Sequence, residues 1–257
     1  MTQIAATVIG AGSVGLGMAA SLALAGQRVT LMARRGAVEA LRATPITVSG
    51  MYGDQAVPPG TTTVEDAAHP SKAARDCDML VVTTKAHDIA AALAPFSDAA
   101  ALAVLSMHNG IGASETIRAV MGPAMPVYAS VIMIGLERQG LAHVVITAIA
   151  GPIRTGLLLG DATAPLAAFV AAAQAGVLPI CADPAIRDTV LFKLLFSTCM
   201  NPTGALTGPT YGGLINHAAT LGLIERLADE TLAVLLAEFA YTPAATGAAF
   251  AHGVLPS

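Results

Sequence analysis

Short apolar runs alternate with segments of helical character along the first 121 residues. We predict strands for the apolar runs because each is short and bounded by turn-forming or polar residues. Helices are predicted between them. The strands are placed at 4–10, 28–34, 78–84 and 101–107, and the helices at 13–25, 38–42, 87–95 and 113–121. This alternation is typical of a parallel sheet covered by helices.

The alternation stops after residue 121. Three β-like runs follow, at 127–137, 141–151 and 154–160, with short turns between them. We expect them to extend or flank the sheet in antiparallel fashion. The earlier segment 47–64 is rich in Gly, Pro and Thr, so it is predicted to form a hairpin or a long loop.

From Asp183 onward the pattern becomes helical. Asp183 can cap a helix and Pro184 suits its first turn, so a helix is predicted to about Met200. A second long helix is expected from about 214 to 239, and the small residues at 240–257 show no obvious element. We therefore place a domain boundary near 180–185. The domains are predicted to be 1–183, an α/β doubly wound sheet, and 184–257, a smaller all-helical domain.

The composition indicates a folded chain, and the cellular compartment has to be inferred from hydropathy and from the N-terminus. Hydrophobic residues are 54% and charged residues 12% of the sequence, which excludes disorder as the main state. The mean hydropathy of +0.67 is high enough to suggest a membrane protein. Apolar windows such as 165–182 are, however, broken by Gln, Gly and Pro, so none is predicted to span a bilayer. The first twelve residues lack the basic region of a signal peptide. We expect a cytoplasmic protein with no membrane partner.

Charge and sulfur chemistry exclude two further classes of function. The net charge is −4, and the thirteen Lys and Arg are scattered along the chain, so no nucleic-acid partner is expected. Cys77, Cys181 and Cys199 show no paired spacing and are predicted to be free and reduced. No two His or Cys residues stand at metal-ligand spacing, so we expect no metal site.

The stretch VIGAGSVG carries Gly10, Gly12 and Gly15 in G-x-G-x-x-G spacing. It follows a predicted strand and opens a predicted helix, which is the context of a dinucleotide-binding turn in a Rossmann-type fold. The helix N-terminus offers free N–H groups to phosphate. We assign the whole turn to cofactor binding, namely Gly10, Ala11, Gly12, Ser13, Val14 and Gly15.

Two alternatives exist for this turn. It can be a glycine-rich turn that binds nothing. It also overlaps a nucleophile elbow, in which Ser13 would attack a substrate. Such an elbow normally begins with glycine and lies well into the sheet, not on its first strand.

The second predicted strand ends in Arg34 and Arg35. A site that prefers NAD places a carboxylate near this position to bind the ribose. A guanidinium instead binds a 2′-phosphate through paired hydrogen bonds. We therefore expect NADP, with Arg34 as a cofactor-binding residue. The alternative is two solvated loop arginines.

Lys85 and Asn109 each end a predicted strand just before a helix. Ligands of such sheets bind at the carboxyl ends of the strands, so both residues can face the nicotinamide half of the cofactor. Taken singly, each is also explained as a loop residue or helix cap. Their occurrence on two successive strands favours a site.

The stretch VLFKLLFSTCMNP places Lys193 in an apolar run. Lys193, Ser197 and Asn201 are spaced i, i+4, i+8, so they form one polar stripe along a helix. Pro202 cannot donate to the helix ladder, and we expect Asn201 at a kink or a helix end. The alternative is a lysine whose stem lies along apolar surface while its ammonium reaches water.

With VIGAGSVG, VTTKAHD, HNGIG and FKLLFSTCMNP in this order, the chain resembles the ketopantoate reductases (2-dehydropantoate 2-reductases). The resemblance implies reduction of a 2-keto acid to a 2-hydroxy acid by NADPH, with 2-dehydropantoate to pantoate in pantothenate biosynthesis as the expected reaction. It implies that Lys193 is catalytic, that Asn201 is on the substrate side, and that Lys85 and Asn109 contact cofactor and substrate. The expected substrate-binding set is Asn109, Lys193, Ser197 and Asn201.

The chain departs from that family at three places. Ser197 and Tyr211 stand where the family usually has asparagines, and the chain ends at Ser257, where a segment with a serine, an aspartate and a glutamate would begin. We therefore expect either a sequence that is a piece of a longer chain or a shortened helical domain, and a domain that lacks its final helices would expose apolar surface that favours a homodimer. Two alternatives stay open: a reductase of another 2-keto acid, and a non-catalytic NADP-binding or sensing relative.

Overall fold

The computed structural model describes residues 3–161 and 165–241; most of the tail predicted to lack an element lies outside these ranges. The chain forms two compact units. The first contains the chain up to Ile186 apart from the segment Asn109–Ile111. The second contains that segment and the chain from Arg187 onward.

The strands of the first unit belong to two sheets. In chain order, the strands described are β1 (Ala5–Ile9), β2 (Arg28–Ala33), β3 (Ile46–Gly50), β4 (Gln55–Val57), β5 (Thr63–Asp66), β6 (Met79–Val82), β7 (Val104–Ser106), β8 (Val127–Val131), β9 (Ile134–Gln139), β10 (His143–Ile149), β11 (Ile153–Leu159) and β12 (Ile180–Ala182).

The helices connect these strands and then make up the second unit. In chain order, those described are α1 (Ser13–Leu24), α2 (Arg35–Ala43), α3 (Lys72–Arg75), α4 (Ile89–Leu93), α5 (Ala113–Met121), α6 (Pro165–Ala173), α7 (Ile186–Thr207), α8 (Tyr211–Ile215) and α9 (Ala218–Phe239), with short 3₁₀ turns at Ala86–Asp88 and Ala94–Phe96.

The main sheet has the order β12-β11-β8-β7-β6-β1-β2-β5. Its strands pair in parallel except β8 with β11. All five residues of β1 are buried, because β1 lies in the interior of the sheet and the two faces of the sheet contribute to two separate apolar cores. The predicted α/β class is confirmed, and the four strands predicted first are β1, β2, β6 and β7.

A second, four-stranded sheet has the order β4-β3-β10-β9. Of the two alternatives predicted for 47–64, a hairpin or a long loop, the structure has the hairpin: β3 and β4 pair in antiparallel fashion. The expectation that the three β-like runs extend or flank the main sheet in antiparallel fashion is only partly right. β8 joins the main sheet in parallel with β7, β11 joins it antiparallel to β8, and β9 and β10 belong to the second sheet.

Helix α7 does not end near Met200 but continues through Pro202 to Thr207. A proline removes one backbone donor, and here the helix is anchored on both sides of that gap. Cys199, Met200 and Thr203 are buried, and the Thr203 hydroxyl donates to the Cys199 carbonyl at 2.7 Å. Asn201 therefore lies inside the helix and not at its end.

The single long helix predicted from 214 to 239 is two helices. α8 ends at Ile215, and α9 begins after His217, whose backbone is extended (φ −114°, ψ 121°). The Thr220 hydroxyl donates to the carbonyls of Leu214 and His217 at this break. Within the part of the chain that the structure describes, no helix combines the length and apolar character needed to cross a membrane.

Candidate active site

In the glycine-rich turn between β1 and α1, the backbone packs so closely that a side chain at Gly15 would not fit. Gly10 has a φ of +114°, a conformation that favours glycine. A Cβ at Gly15 would lie 1.8 Å from the Gly10 carbonyl oxygen and 2.6 Å from the Thr83 hydroxyl oxygen. Gly15 is therefore required for the helix to start this close to the strand.

Gly12 differs from its two neighbours in the motif. A Cβ built there meets no atom within 4 Å, so the space beside the turn is open at this residue. Gly12 is also the N-cap of α1, and the first helical bond runs from the Leu16 N–H to its carbonyl at 2.9 Å. The N–H groups of Ser13 and Val14 precede that bond, and the N-terminus of a twelve-residue helix attracts an anion through such donors.

Thr83 holds the turn from the neighbouring strand. Its hydroxyl lies 3.0 Å from the carbonyls of both Ile9 and Gly10, to which it donates. Sequence reasoning selected Lys85 from this segment and missed Thr83. The only available signal was its position directly after an apolar strand, which many loop residues share.

The two arginines after β2 have different surroundings. Arg35 donates from Nε to Asp66 at 3.0 Å. Arg34 is the N-cap of α2, its side chain is 94% exposed, and its Nη2 lies 3.9 Å from the Asp88 carboxylate. Arg34 is therefore available to an added anion, whereas Arg35 is held by the protein.

Lys85 and Asn109 follow two adjacent strands whose ends are level. Val82 of β6 pairs with Ser106 of β7, so the residues after each strand emerge at the same edge of the sheet. Lys85 and Asn109 are both exposed. Asn109 belongs by its contacts to the second unit, the unit that also contains Lys193.

Two buried polar atoms lie at this edge and were not predicted. In the described ranges, the Thr84 hydroxyl and Nε2 of His108 are buried without a hydrogen-bond partner. Nδ1 of His108 lies 2.9 Å from the Ser106 hydroxyl. Burial lowers the pKa of His108, because desolvation disfavours the imidazolium. The Thr84 backbone has a smaller, opposite effect on this pKa. The imidazole is therefore neutral near pH 7.

Lys193 is half-buried on α7. Burial lowers its pKa from the ordinary value of 10.5, because desolvation disfavours the ammonium. Its Nζ lies 4.9 Å from the centroid of the Phe196 ring. Among the residues that the structure describes, no carboxylate lies within ion-pair distance of Nζ. An unpaired, partly dry ammonium is poised to bind an anion or give up a proton.

Asn201 and Lys193 are linked through two aromatic residues. The Tyr211 hydroxyl donates to Oδ1 of Asn201 at 2.6 Å. The rings of Tyr211 and Phe196 pack edge to face, with centroids 5.6 Å apart. Because Oδ1 is occupied, Asn201 has its amide NH₂ left for a ligand. Sequence reasoning treated Tyr211 only as a departure from the family pattern and missed Phe196.

Ser197 lies between Lys193 and Asn201 on the same helix and is half-buried. The predicted polar stripe along one helix is therefore present, with all three residues inside α7. These residues offer an ammonium, a hydroxyl and an amide, a set suited to an oxygen-rich anion. No group of three or more His, Cys, Asp or Glu suited to a metal ion occurs among the described residues.

The features of the glycine turn fit a dinucleotide. A phosphate needs close approach to backbone N–H groups at a helix start, and the turn provides open space at Gly12, the start of α1 and the packing at Gly15. Such turns recur in proteins of many functions, so the turn alone does not decide what the chain does.

Comparison with known proteins decides the family. Residues 6–160 match the family model described as "Ketopantoate reductase PanE/ApbA", and residues 185–253 match the model of its C-terminal part. Together the two matches span most of the chain. The chain belongs to the ketopantoate reductase family. It is therefore an oxidoreductase, of a family of reductases that use pyridine nucleotides.

Individual relatives are distant. A 2-dehydropantoate 2-reductase of Aquifex aeolicus is 24% identical over 233 residues, covering 89% of this chain and 71% of that protein. A PanE/ApbA family ketopantoate reductase of Ralstonia eutropha JMP134 has a TM-score of 0.80 at 24% identity, covering 98% of this chain and 80% of that one. A D-mandelate dehydrogenase solved with NADH and anilino(oxo)acetate has a TM-score of 0.78 at 16% identity, covering 93% and 76%. The two solved structures support the fold.

Proposed function

We propose that this chain reduces a 2-keto acid to a 2-hydroxy acid with NADPH, and that 2-dehydropantoate is the first substrate to test. The observation that carries the proposal is Lys193, a half-buried ammonium with a lowered pKa. Family membership and the open glycine turn support the cofactor class. The name of the Aquifex aeolicus relative supports the choice of substrate.

The cofactor is assigned to residues of the first unit and of the segment after β7. The glycine turn from Gly10 to Gly15 would hold the pyrophosphate at the start of α1, and Arg34 would hold the 2′-phosphate. Lys85 and Asn109 would hold the nicotinamide half. When held by these residues, a reduced nicotinamide would supply the hydride that reduces the carbonyl carbon of the substrate.

Lys193 is assigned the role of proton donor. As negative charge develops on the ketone oxygen, the ammonium stabilises it and donates one proton to it. The lysine is then a neutral amine and is reprotonated from solvent. Partial burial brings the pKa of Lys193 down toward working pH, which favours donation because the best acid has a pKa near the operating pH.

Asn201, Ser197 and Asn109 are assigned to the substrate. The NH₂ of Asn201 would donate to the substrate, since the Tyr211 hydroxyl already donates to Oδ1 of Asn201. Carboxylate oxygens accept such bonds, and the ammonium of Lys193 adds charge attraction. The pair Lys193 and Asn201 would therefore orient the carboxylate and ketone of a 2-keto acid relative to each other.

A second candidate is a 2-keto acid with an aromatic side chain. The edge-to-face pair of Phe196 and Tyr211 borders the ammonium, and aromatic rings favour packing against another ring. The D-mandelate dehydrogenase of the same fold, solved with anilino(oxo)acetate, makes this class worth testing beside 2-dehydropantoate.

The test measures the rate of NADPH oxidation with each of three substrates: 2-dehydropantoate, an aromatic 2-keto acid and a short aliphatic 2-keto acid. The proposal expects turnover of at least one acid, and the ratio of kcat/KM values identifies the side-chain class. Tight NADPH binding without turnover of any 2-keto acid would contradict it in favour of a cofactor-binding relative that lacks the reaction.

We expect Arg34→Ala to weaken NADPH binding by about tenfold or more, since charge-assisted hydrogen bonds are worth about 1.5–3 kcal/mol. The Kd for NADH, which lacks the 2′-phosphate, should stay unchanged. Calorimetric titration of both nucleotides measures the difference. Arg35→Ala is the matched control, because Arg35 already bonds Asp66. Equal losses for NADPH and NADH would show that Arg34 does not bind the 2′-phosphate.

A further inference from the structure

Arg138, near the end of β9, donates three hydrogen bonds to backbone carbonyls. Its Nε lies 2.9 Å from the Gly140 carbonyl and its Nη2 lies 2.7 Å from the Leu141 carbonyl, both in the turn that follows β9. Its Nη1 lies 3.0 Å from the carbonyl of Ala11. The guanidinium therefore ties the second sheet to the middle of the glycine-rich turn, 127 residues away in sequence.

The route of this contact follows from the packing of β9 on α1. Leu136 and Arg138 are two residues apart in a strand, so they lie on the same face. The Leu136 side chain lies against Gly17 of α1, where a Cβ would be 3.7 Å from its Cδ2. The same face of β9 thus packs on the helix with Leu136 and contacts the turn before it with Arg138. No side-chain acceptor is involved in the three bonds.

Holding the Ala11 carbonyl also fixes its neighbour. In a trans peptide the C=O and the following N–H lie in one plane and point in opposite directions. The Ala11 oxygen points at Arg138, so the Gly12 N–H points away from it. Gly12 is the residue of the turn with open space beside it and the N-cap of α1. Arg138 thereby sets the direction of a donor at the place where phosphate would bind.

We propose that Arg138 is a positioning residue for the dinucleotide phosphate: it fixes the Ala11–Gly12 peptide through the Ala11 carbonyl and adds positive charge beside the turn. The proposal rests on the proposed function, since it takes a pyridine dinucleotide as the ligand. Only arginine combines the planar fork that satisfies three carbonyls with a permanent charge. Lysine would keep the charge and lose the fork.

The test compares dinucleotide binding by Arg138→Ala, Arg138→Lys and the wild type, measured by calorimetric titration with NADPH and with NADH. Arg138 contacts the turn and not the 2′-phosphate, so the Kd values for NADPH and NADH should rise by the same factor. For Arg138→Ala we expect a factor of about ten. The Kd values of Arg138→Lys should lie between those of the wild type and those of Arg138→Ala. At saturating NADPH, kcat and the KM for the keto acid should be unchanged.

Arg28→Ala is the matched control. It removes one exposed positive charge from the start of β2, at the sheet edge opposite the glycine turn. Thermal melts of all variants report on folding, and the three carbonyls lie where water can replace the guanidinium.

Wild-type affinity in Arg138→Ala, or an equal loss in Arg28→Ala, would overturn the inference and leave the proposed function intact. A loss confined to NADPH would also overturn it, because Arg138 would then bind the 2′-phosphate directly. A wild-type chain that binds neither nucleotide would overturn both proposals together.

Discussion

Replacing Lys193 by alanine or methionine should lower kcat by at least about 100-fold, the lower end of what general acid catalysis contributes. The Kd for NADPH should change little, because the residues assigned to the cofactor do not include Lys193. Methionine matches the length of the stem and removes the ammonium, so it should leave the melting temperature equal or higher, since burial disfavours the charged form. If Lys193 had only a structural role, its replacement would instead lower the melting temperature and leave kcat near the wild-type value.

The pH dependence gives a second, independent measurement of the same assignment. Protonated Lys193 is the active form, so kcat/KM should fall as pH rises through its pKa. Burial lowers that pKa from 10.5, which places the alkaline limb below pH 10.5. A bound carboxylate stabilises the ammonium, so the limb of kcat should lie at higher pH than that of kcat/KM. The Lys193→Met variant should lack the limb.

Lys72→Met is the matched control for this prediction. Lys72 is an exposed lysine on α3 that bonds Asp76 at 2.6 Å, so the same substitution there removes the same charge from a place without an assigned role. Its kcat should equal that of the wild type. Turnover of Lys193→Ala above about a tenth of the wild-type rate, well short of an acid catalyst's contribution, would show that the proton comes from another group.

Local pattern predicted the elements whose partners are adjacent in sequence. The strand, glycine turn and helix at the start of the chain form one continuous unit, in which Gly10 is explained by its positive φ and Gly15 by its contact with the Gly10 carbonyl. Pairing across long separations was not predictable in this way. β3 pairs in parallel with β10 through residues such as Val48 and Val144, and an apolar run does not indicate which distant strand will accept its hydrogen bonds.

The errors in the helical unit have a similar cause. The proline rule describes the loss of one hydrogen bond, whereas α7 is held by a whole buried face that includes Leu195 and Cys199. The break between α8 and α9 depends on the Thr220 hydroxyl reaching two carbonyls. Both are tertiary or side-chain effects that outweigh local propensity.

The candidate site divides along the same line. The polar stripe of Lys193, Ser197 and Asn201 follows from helical spacing alone, and α7 contains all three. Tyr211 reaches Asn201 only because α8 packs beside α7, and Arg138 reaches Ala11 only because β9 packs on α1. Side chains that support a site from another element leave little signal in a single sequence.

Two glycines of one motif should respond in opposite ways to the same substitution. Gly12→Ala should fold normally, since the φ of −84° is allowed for alanine and the new Cβ meets nothing within 4 Å. Its Kd for NADPH should rise by about tenfold or more, because the methyl group occupies the space through which the pyrophosphate approaches the backbone. The loss should be equal for NADH, which shares the pyrophosphate.

Gly15→Ala should instead unfold the turn. Its Cβ would lie 1.8 Å from the Gly10 carbonyl oxygen, a backbone atom that the Thr83 hydroxyl also contacts at 3.0 Å. Overpacking of this kind costs about 1–3 kcal/mol or more, so we expect the melting temperature to fall by at least about 2 °C. Gly222→Ala on α9, where a Cβ also meets nothing within 4 Å, is the control: it should leave the Kd for NADPH unchanged and should not lower the melting temperature, because alanine is favoured over glycine inside a helix. Wild-type NADPH affinity in Gly12→Ala would refute the assignment of the turn to the cofactor, and a wild-type melting temperature in Gly15→Ala would refute the packing of the turn.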